Sequence, residues 1–141
     1  MNNSSKTIFI AIGAYNEPDL RQTVINCIQM AKYPERLRFG IWSLNSDGVI
    51  PSFADVENVK IITAQFPTQI GVCPARAGAL FLYNNEDYLL QIDAHMLFQQ
   101  DWDEIVIDHY LNIKKKYDKP IITTYVPWWA RDFNGNFVHY S

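Results

Sequence analysis

Short apolar runs alternate with amphipathic stretches along this chain of 141 residues. Residues 7–12 form an apolar, β-branched run of the kind typical of a central parallel strand covered on both faces. After Gly13 and the turn-forming residues 16–19, apolar side chains recur at helical spacing over residues 20–31. Residues 37–44 predict a second strand, so the chain begins with a βαβ unit.

The same alternation continues to residue 125. The further predictions are a strand at residues 59–64, a helix at 74–83, a strand at 88–92, a helix from Asp101 and a strand at 120–125. Strands that alternate with helices predict an α/β fold with a mostly parallel sheet and helices on both faces. Such sheets bind ligands at the carboxyl ends of their strands, so we expect the functional residues at the strand exits.

Composition favours one domain spanning residues 1–141, because 48% hydrophobic residues are enough to form a core. A net charge of −3 gives no electrostatic reason to expect a nucleic-acid partner. The first apolar run is too short for a signal sequence or a membrane span. Cys27 and Cys73 lack metal-binding spacing and lie in apolar stretches, which predicts buried thiols in a reduced, cytoplasmic chain.

Residues 127–141 carry several aromatic side chains without a clear period. This is a large aromatic surface to leave uncovered. We therefore expect the domain to be truncated at its C-terminus, before the segment that covers these side chains. Exposed in this way, they would favour self-association.

The first two strand exits carry candidate nucleoside-binding residues. Tyr15 could stack on a base and Glu17 could accept its N–H, although an ordinary turn with a helix cap explains the same residues. Asp47 follows the second strand and would lie beside the base or the ribose. It also lies in an Asn-Ser-Asp-Gly run, where aspartate is common for backbone reasons alone.

Arg76 lies in the first turn of the helix predicted after Gly71 and Pro74. A cation is unfavourable at this end of a helix unless an anion is close by. The partner could be a diphosphate, or it could be an acid of the protein such as Asp93.

The clearest candidates are Asp93 and His95, which follow an apolar strand. Residues two apart on extended backbone point to the same side, so both side chains could reach one ion. A carboxylate and an imidazole suit Mn²⁺ better than Ca²⁺, and a diphosphate would complete the coordination. The alternative is a capping aspartate and a surface histidine.

In the next helix, Trp102 is expected in the core, and Asp103 is a residue that helix N-termini prefer anyway.

In this order, these pieces resemble the GlcNAc-transferase family of GT-A glycosyltransferases, which includes polypeptide GlcNAc-transferases acting on hydroxyproline. The most specific match is Tyr-Leu-Leu-Gln-Ile-Asp-Ala-His-Met followed by Trp-Asp. The matching segments are residues 8–12 with Tyr15 and Pro18, 34–40, 71–78, 88–96, 102–103 and 120–125.

The resemblance implies a GT-A-type, Rossmann-like domain that transfers GlcNAc or a related sugar from a UDP-sugar to a protein or glycan hydroxyl, with retention of configuration. Asp93 and His95 would hold Mn²⁺ or Mg²⁺, and Arg76 would bind the donor. Tyr15, Glu17 and Asp47 would contact the nucleoside. No residue is identified as nucleophile or general base.

Two other function classes are alternatives to a glycosyltransferase. A non-catalytic nucleotide-sugar-binding module with the same fold remains open. A nicotinamide-dependent dehydrogenase is disfavoured, because none of the six glycines forms the G-x-G pair of the dinucleotide fingerprint.

Overall fold

The computed structural model of the protein describes residues 5–47, 49, 51–65, 71–132 and 134–140. Gly48 of the predicted second turn and Phe133 of the aromatic segment lie outside these residues. The chain divides into two units, residues 1–105 and 106–141, and the third helix crosses the boundary between them.

The elements follow the predicted alternation closely through the first unit. In chain order they are β1 (Ile8–Tyr15), α1 (Leu20–Gln29), a short 3₁₀ turn (Pro34–Arg36), β2 (Leu37–Asn45), β3 (Val59–Gln65), α2 (Val72–Leu80), β4 (Tyr88–Ile92), α3 (Trp102–Lys114), β5 (Trp128–Arg131) and β6 (Phe137–Tyr140).

The first unit contains a four-stranded parallel sheet in the order β3-β2-β1-β4. β1 lies between β2 and β4, with Ile8 paired to Leu37 on one side and to Tyr88 on the other. The chain builds outward from β1 to β3 and then returns to the opposite side of β1 for β4. The strand order therefore reverses between β1 and β4, and ligands of such sheets bind at this switch point.

Both faces of β1 are buried, which explains why its sequence is apolar without alternation. Phe9 and Ala11 pack with Ala79 of α2 and with Trp42. Residues of the opposite face, Ile10 and Ile12, are fully buried as well. On α1 the predicted apolar stripe is buried at Leu20, Val24 and Cys27. The expectation of an α/β fold of Rossmann-like type is confirmed.

Asp103 has a larger role than its place at a helix start predicted. Its carboxylate is fully buried and accepts the backbone N–H groups of Lys32 (2.7 Å) and Tyr33 (3.1 Å). It also accepts Nε of Arg36 at 2.9 Å, and Nη2 of the same side chain lies 2.7 Å away. Neighbouring Trp102 is in the core, as predicted, and donates to the carbonyl of Cys27. The start of α3 is thereby joined to the end of α1.

The predicted strand at residues 120–125 is wrong, because these residues have no regular secondary structure. Ile121 is 90% exposed and Tyr125 fully so. A β-branched run becomes a strand only when another strand pairs with its backbone, and this one pairs with none of the described strands. β5 and β6, which sequence periodicity did not predict, instead form an antiparallel hairpin in the second unit.

The two cysteines differ in environment. Cys27 is buried, as predicted, and burial raises the pKa of its thiol well above the usual value, with a smaller contribution from Asp103. Cys73 is exposed, so the expectation of a buried thiol was wrong there. It lies in the first turn of α2, a helix in which some apolar residues are buried and others are exposed, so an apolar stretch of sequence does not imply burial there.

Among the described residues, every helix is too short or too polar to cross a lipid bilayer.

Candidate functional site

The carboxyl ends of β1, β2 and β4 lie next to one another because these strands are parallel neighbours. The predicted site residues of unit one follow these ends. Tyr15 is the last residue of β1, and Asp93 comes directly after β4. Arg76 reaches the same edge from α2, which packs over β1.

A close approach between β1 and α2 positions Arg76. A Cβ atom on Gly13 would lie 3.0 Å from Cβ of Ala75 and 3.1 Å from the backbone nitrogen of Arg76. This distance is tighter than ordinary packing allows, so a glycine in β1 and an alanine in α2 let the first turn of the helix rest on the strand end. The Arg76 side chain consequently extends to the end of the neighbouring strand β4.

Arg76 and Asp93 form an ion pair at this edge. Nη2 of Arg76 donates to Oδ1 of Asp93 at 2.9 Å, and the two side chains are 37% and 52% exposed. Of the two partners expected for Arg76 from sequence, the protein carboxylate Asp93 is the one it bonds in the structure. A half-exposed pair of this kind contributes less than about 1 kcal/mol, so a competing ligand can rearrange it at low cost.

His95 and Glu17 form the second pair. Nδ1 of His95 lies 3.0 Å from Oε2 of Glu17, although the residues are 78 positions apart in the chain. The His95 side chain is 58% exposed, whereas that of Glu17 is only 20% exposed. The exits of β1 and β4 therefore meet through side chains as well as through the sheet.

The prediction that Asp93 and His95 lie on one extended stretch of backbone is wrong. β4 ends at Ile92, and the chain bends at Ala94 and His95 instead of continuing extended. The carbonyl of Ala94 accepts a hydrogen bond from Thr23 of α1 at 2.9 Å, which fixes the bend. Alternation along a strand consequently does not apply to this pair, and each side chain has a different partner.

Asn16, which sequence reasoning treated only as part of a helix-start cluster, joins two strand exits. It has a positive φ of 48°, a conformation that asparagine tolerates better than most residues. Its Oδ1 accepts the N–H of Ser46 at 2.8 Å, and its Nδ2 donates to the Ser46 hydroxyl at 2.9 Å. The sequence signal that could have identified Asn16 is its position directly after a buried strand.

The remaining candidates, Tyr15 and Asp47, are next to the two hydrogen-bonded residues in sequence: Tyr15 precedes Asn16, and Asp47 follows Ser46. Tyr15 is partly exposed and pairs in register with Leu44. Asp47 is exposed, and its carboxylate accepts the N–H of Val49 at 3.0 Å within its own turn. This is the backbone role that its turn-forming sequence also allowed.

The side chains that are available as metal ligands limit what kind of metal site could form here. Within the described residues, no three His, Cys, Asp or Glu side chains come together as a preformed metal site. Asp93 and His95 offer one carboxylate and one imidazole at an exposed edge. This set fits an ion that takes most of its ligands from a bound diphosphate and water, and it does not fit a closed structural site.

The parallel sheet with a polar edge at its switch point is an α/β fold of the Rossmann-like type. The sequence profile of the family described as glycosyltransferase (GlcNAc) matches residues 49–139, which is more than half of the chain. The chain therefore belongs to this GlcNAc glycosyltransferase family. The match includes Arg76, Asp93 and His95, whereas Tyr15, Glu17 and Asp47 precede it. No curated protein matches the chain significantly.

Proposed function

We propose that this chain binds the donor of a metal-dependent glycosyltransferase, which moves GlcNAc or a related sugar from a UDP-sugar to a protein or glycan hydroxyl with retention. The single observation that carries the proposal is the position of Asp93, His95 and Arg76 together at the β1/β4 switch point of a family member. A divalent ion bound there would neutralise the charge that develops on the diphosphate leaving group.

Each side chain has a distinct task in this proposal. Arg76 would exchange its half-exposed partner Asp93 for a phosphate oxygen, since guanidinium binds phosphate as well as carboxylate in a bidentate manner. Asp93, released by this exchange, would bind Mn²⁺ or Mg²⁺ together with His95. In this proposal the Arg76–Asp93 ion pair compensates two opposite charges, and the donor and its metal ion supply new partners for both.

The nucleoside would lie over the exits of β1 and β2. Tyr15 ends β1 and offers a partly exposed ring for stacking, while the Asn16–Ser46 hydrogen bonds hold the two exits together. Asp47 is the candidate for contact with the base or the ribose.

We propose that the protein is cytoplasmic, because both of its thiols are free, as is typical of proteins in a reducing compartment.

Calorimetry with UDP-GlcNAc, in the presence and absence of Mn²⁺, tests the proposal. We expect donor binding that depends on the metal and that falls by more than about 100-fold in Asp93→Asn, because even the outer-shell partners of metal ligands are worth 10- to 100-fold in affinity. Asp87→Asn is the matched control, since Asp87 directly precedes β4 at the opposite edge of the sheet, where it bonds Lys6.

Two results would contradict the proposal: donor binding of equal strength without metal, or no binding by a folded protein. A panel of hydroxyl acceptors then distinguishes a transferase from a non-catalytic module. Transfer of the sugar, or its slow hydrolysis, supports the enzyme, whereas metal-dependent binding with neither reaction supports the binding module.

A further inference from the structure

The contact between Glu17 and His95 gives Glu17 a different role from the one that its sequence position predicted. Oε2 of Glu17 lies 3.0 Å from Nδ1 of His95, and Oε1 accepts the backbone N–H of Asp19 at 3.3 Å. Both carboxylate oxygens are therefore engaged, and only a fifth of the side chain is exposed. If the nucleobase of a UDP-sugar bound at this edge, both oxygens of the Glu17 carboxylate would already be in contact with His95 and Asp19.

A carboxylate at one ring nitrogen determines what the other ring nitrogen can do. Because the carboxylate only accepts, Nδ1 must carry the proton, and the neutral ring then has its lone pair on Nε2. Histidines that bind metals in proteins are commonly held in this way, through the nitrogen that does not coordinate. The carboxylate orients the ring and fixes its tautomer.

The local structure makes Glu17 a rigid partner. Glu17 lies between the end of β1 and the start of α1, in a turn whose backbone is held by the N–H of Asn16 bonded to the carbonyl of Leu44 at 3.0 Å. His95 lies in the bend after β4, whose carbonyl at Ala94 is bonded to α1. The contact thus joins two short segments, each anchored by its own backbone.

We propose that Glu17 is a positioning residue: it holds His95 in the Nδ1–H tautomer and directs Nε2 toward a divalent cation at the β1/β4 switch point. This inference rests on the proposed function, because it takes His95 as a metal ligand. It replaces direct recognition of the nucleoside as the role of Glu17.

The first experiment needs no metal. Long-range ¹H–¹⁵N NMR of the histidine rings reports which nitrogen of His95 carries the proton. We expect the Nδ1–H form in the wild type and in Glu17→Gln, whose side-chain oxygen still accepts the bond, and a shift toward Nε2–H in Glu17→Ala. A wild-type ring in the Nε2–H form would overturn the inference.

The second experiment measures Mn²⁺ affinity in the presence of UDP by electron paramagnetic resonance. We expect Glu17→Ala to weaken Mn²⁺ binding by about 10- to 100-fold, which is the usual effect of removing the outer partner of a ligating histidine, and Glu17→Gln to restore part of the affinity. Glu35→Ala is the matched control, because Glu35 is an exposed carboxylate at the amino edge of the sheet, before β2. It should leave the affinity unchanged.

A double-mutant cycle separates positioning from general damage. In a His95→Ala background, Glu17→Ala should cause no further loss of Mn²⁺ affinity, because no imidazole remains to be oriented. A further loss as large as in the wild-type background would overturn the inference. If Glu17→Ala unfolds the protein, as circular dichroism would show, Glu17→Gln and the tautomer of the wild type decide the matter.

Failure of the inference can be told apart from failure of the proposed function. Wild-type protein that binds no Mn²⁺ with UDP present would overturn both. Wild-type binding that Glu17→Ala leaves unchanged would overturn only the role of Glu17. Unchanged Mn²⁺ binding with weaker metal-free UDP binding in Glu17→Ala would instead restore nucleoside recognition as its role.

Discussion

Removal of the Asp103 carboxylate should destabilise the first unit far more than removal of an exposed carboxylate next to it. Asp103 and Arg36 are 0% and 2% exposed, and Asp103 also accepts two backbone N–H groups. Asp103→Ala leaves the guanidinium buried without its counter-ion, and a broken buried pair of this kind costs about 3–5 kcal/mol. For a chain of this length, the corresponding decrease in melting temperature is about 10–15 °C.

Urea unfolding followed by circular dichroism measures this loss. Glu104→Ala is the matched control, because Glu104 is the next residue of α3 and pairs with Lys32 where both side chains are about 40% exposed. We expect the control to lose less than about 1 kcal/mol. The double variant Asp103→Ala/Arg36→Ala should lose less than the two single losses together, since no unpaired charge remains buried. A loss in Asp103→Ala no larger than in the control would refute the reasoning.

Two further predictions follow from other contacts. Asp87 should titrate with a pKa of about 2, below the ordinary value of 3.8, because Lys6 and the N–H of Thr7 both bond its carboxylate. A lowered folded-state pKa contributes stability above pH 3.8 that is lost as the pH falls through 2. NMR titration should show the midpoint rising in Lys6→Ala, and an ordinary midpoint in the wild type would contradict the assignment. Gly78→Ala should destabilise the protein by about 1–3 kcal/mol, since its Cβ would overlap the indole of Trp42. At an exposed helix position the same change would stabilise by up to about 1 kcal/mol, so a more stable variant in denaturant unfolding would refute this contact.

The sheet could be predicted from sequence because its signals are local. β1 is apolar throughout since both of its faces are buried, and glycine, proline or polar residues follow each buried run. β4 matches its prediction residue for residue, at Tyr88–Ile92. By contrast, residues 120–125 have the composition of a strand, yet none of the described strands pairs with them. The composition of a segment shows that it could form a strand, but it becomes one only when the backbone of another strand pairs with it.

The site could be predicted only as a set of positions. Asp93, His95 and Glu17 were expected at strand exits and Arg76 at the start of a helix, and parallel strands bring their exits to one edge. Asp93 was one of two partners that the sequence left open for Arg76, whereas the contact between Glu17 and His95 was not predicted, because a side-chain contact across 78 residues depends on packing. The bend at His95 shows the limit most directly, since an extended backbone was assumed there.

The sequence by itself determined the α/β alternation, the strand exits and the residue types available for chemistry, because periodicity and turn preference act over a few neighbouring residues. Only the tertiary structure decided that Glu17 bonds His95, that Arg76 bonds Asp93 and that Asp103 is buried against Arg36. These contacts depend on strand order, on the close approach of α2 to β1, and on how far each side chain reaches, which no local stretch of sequence encodes.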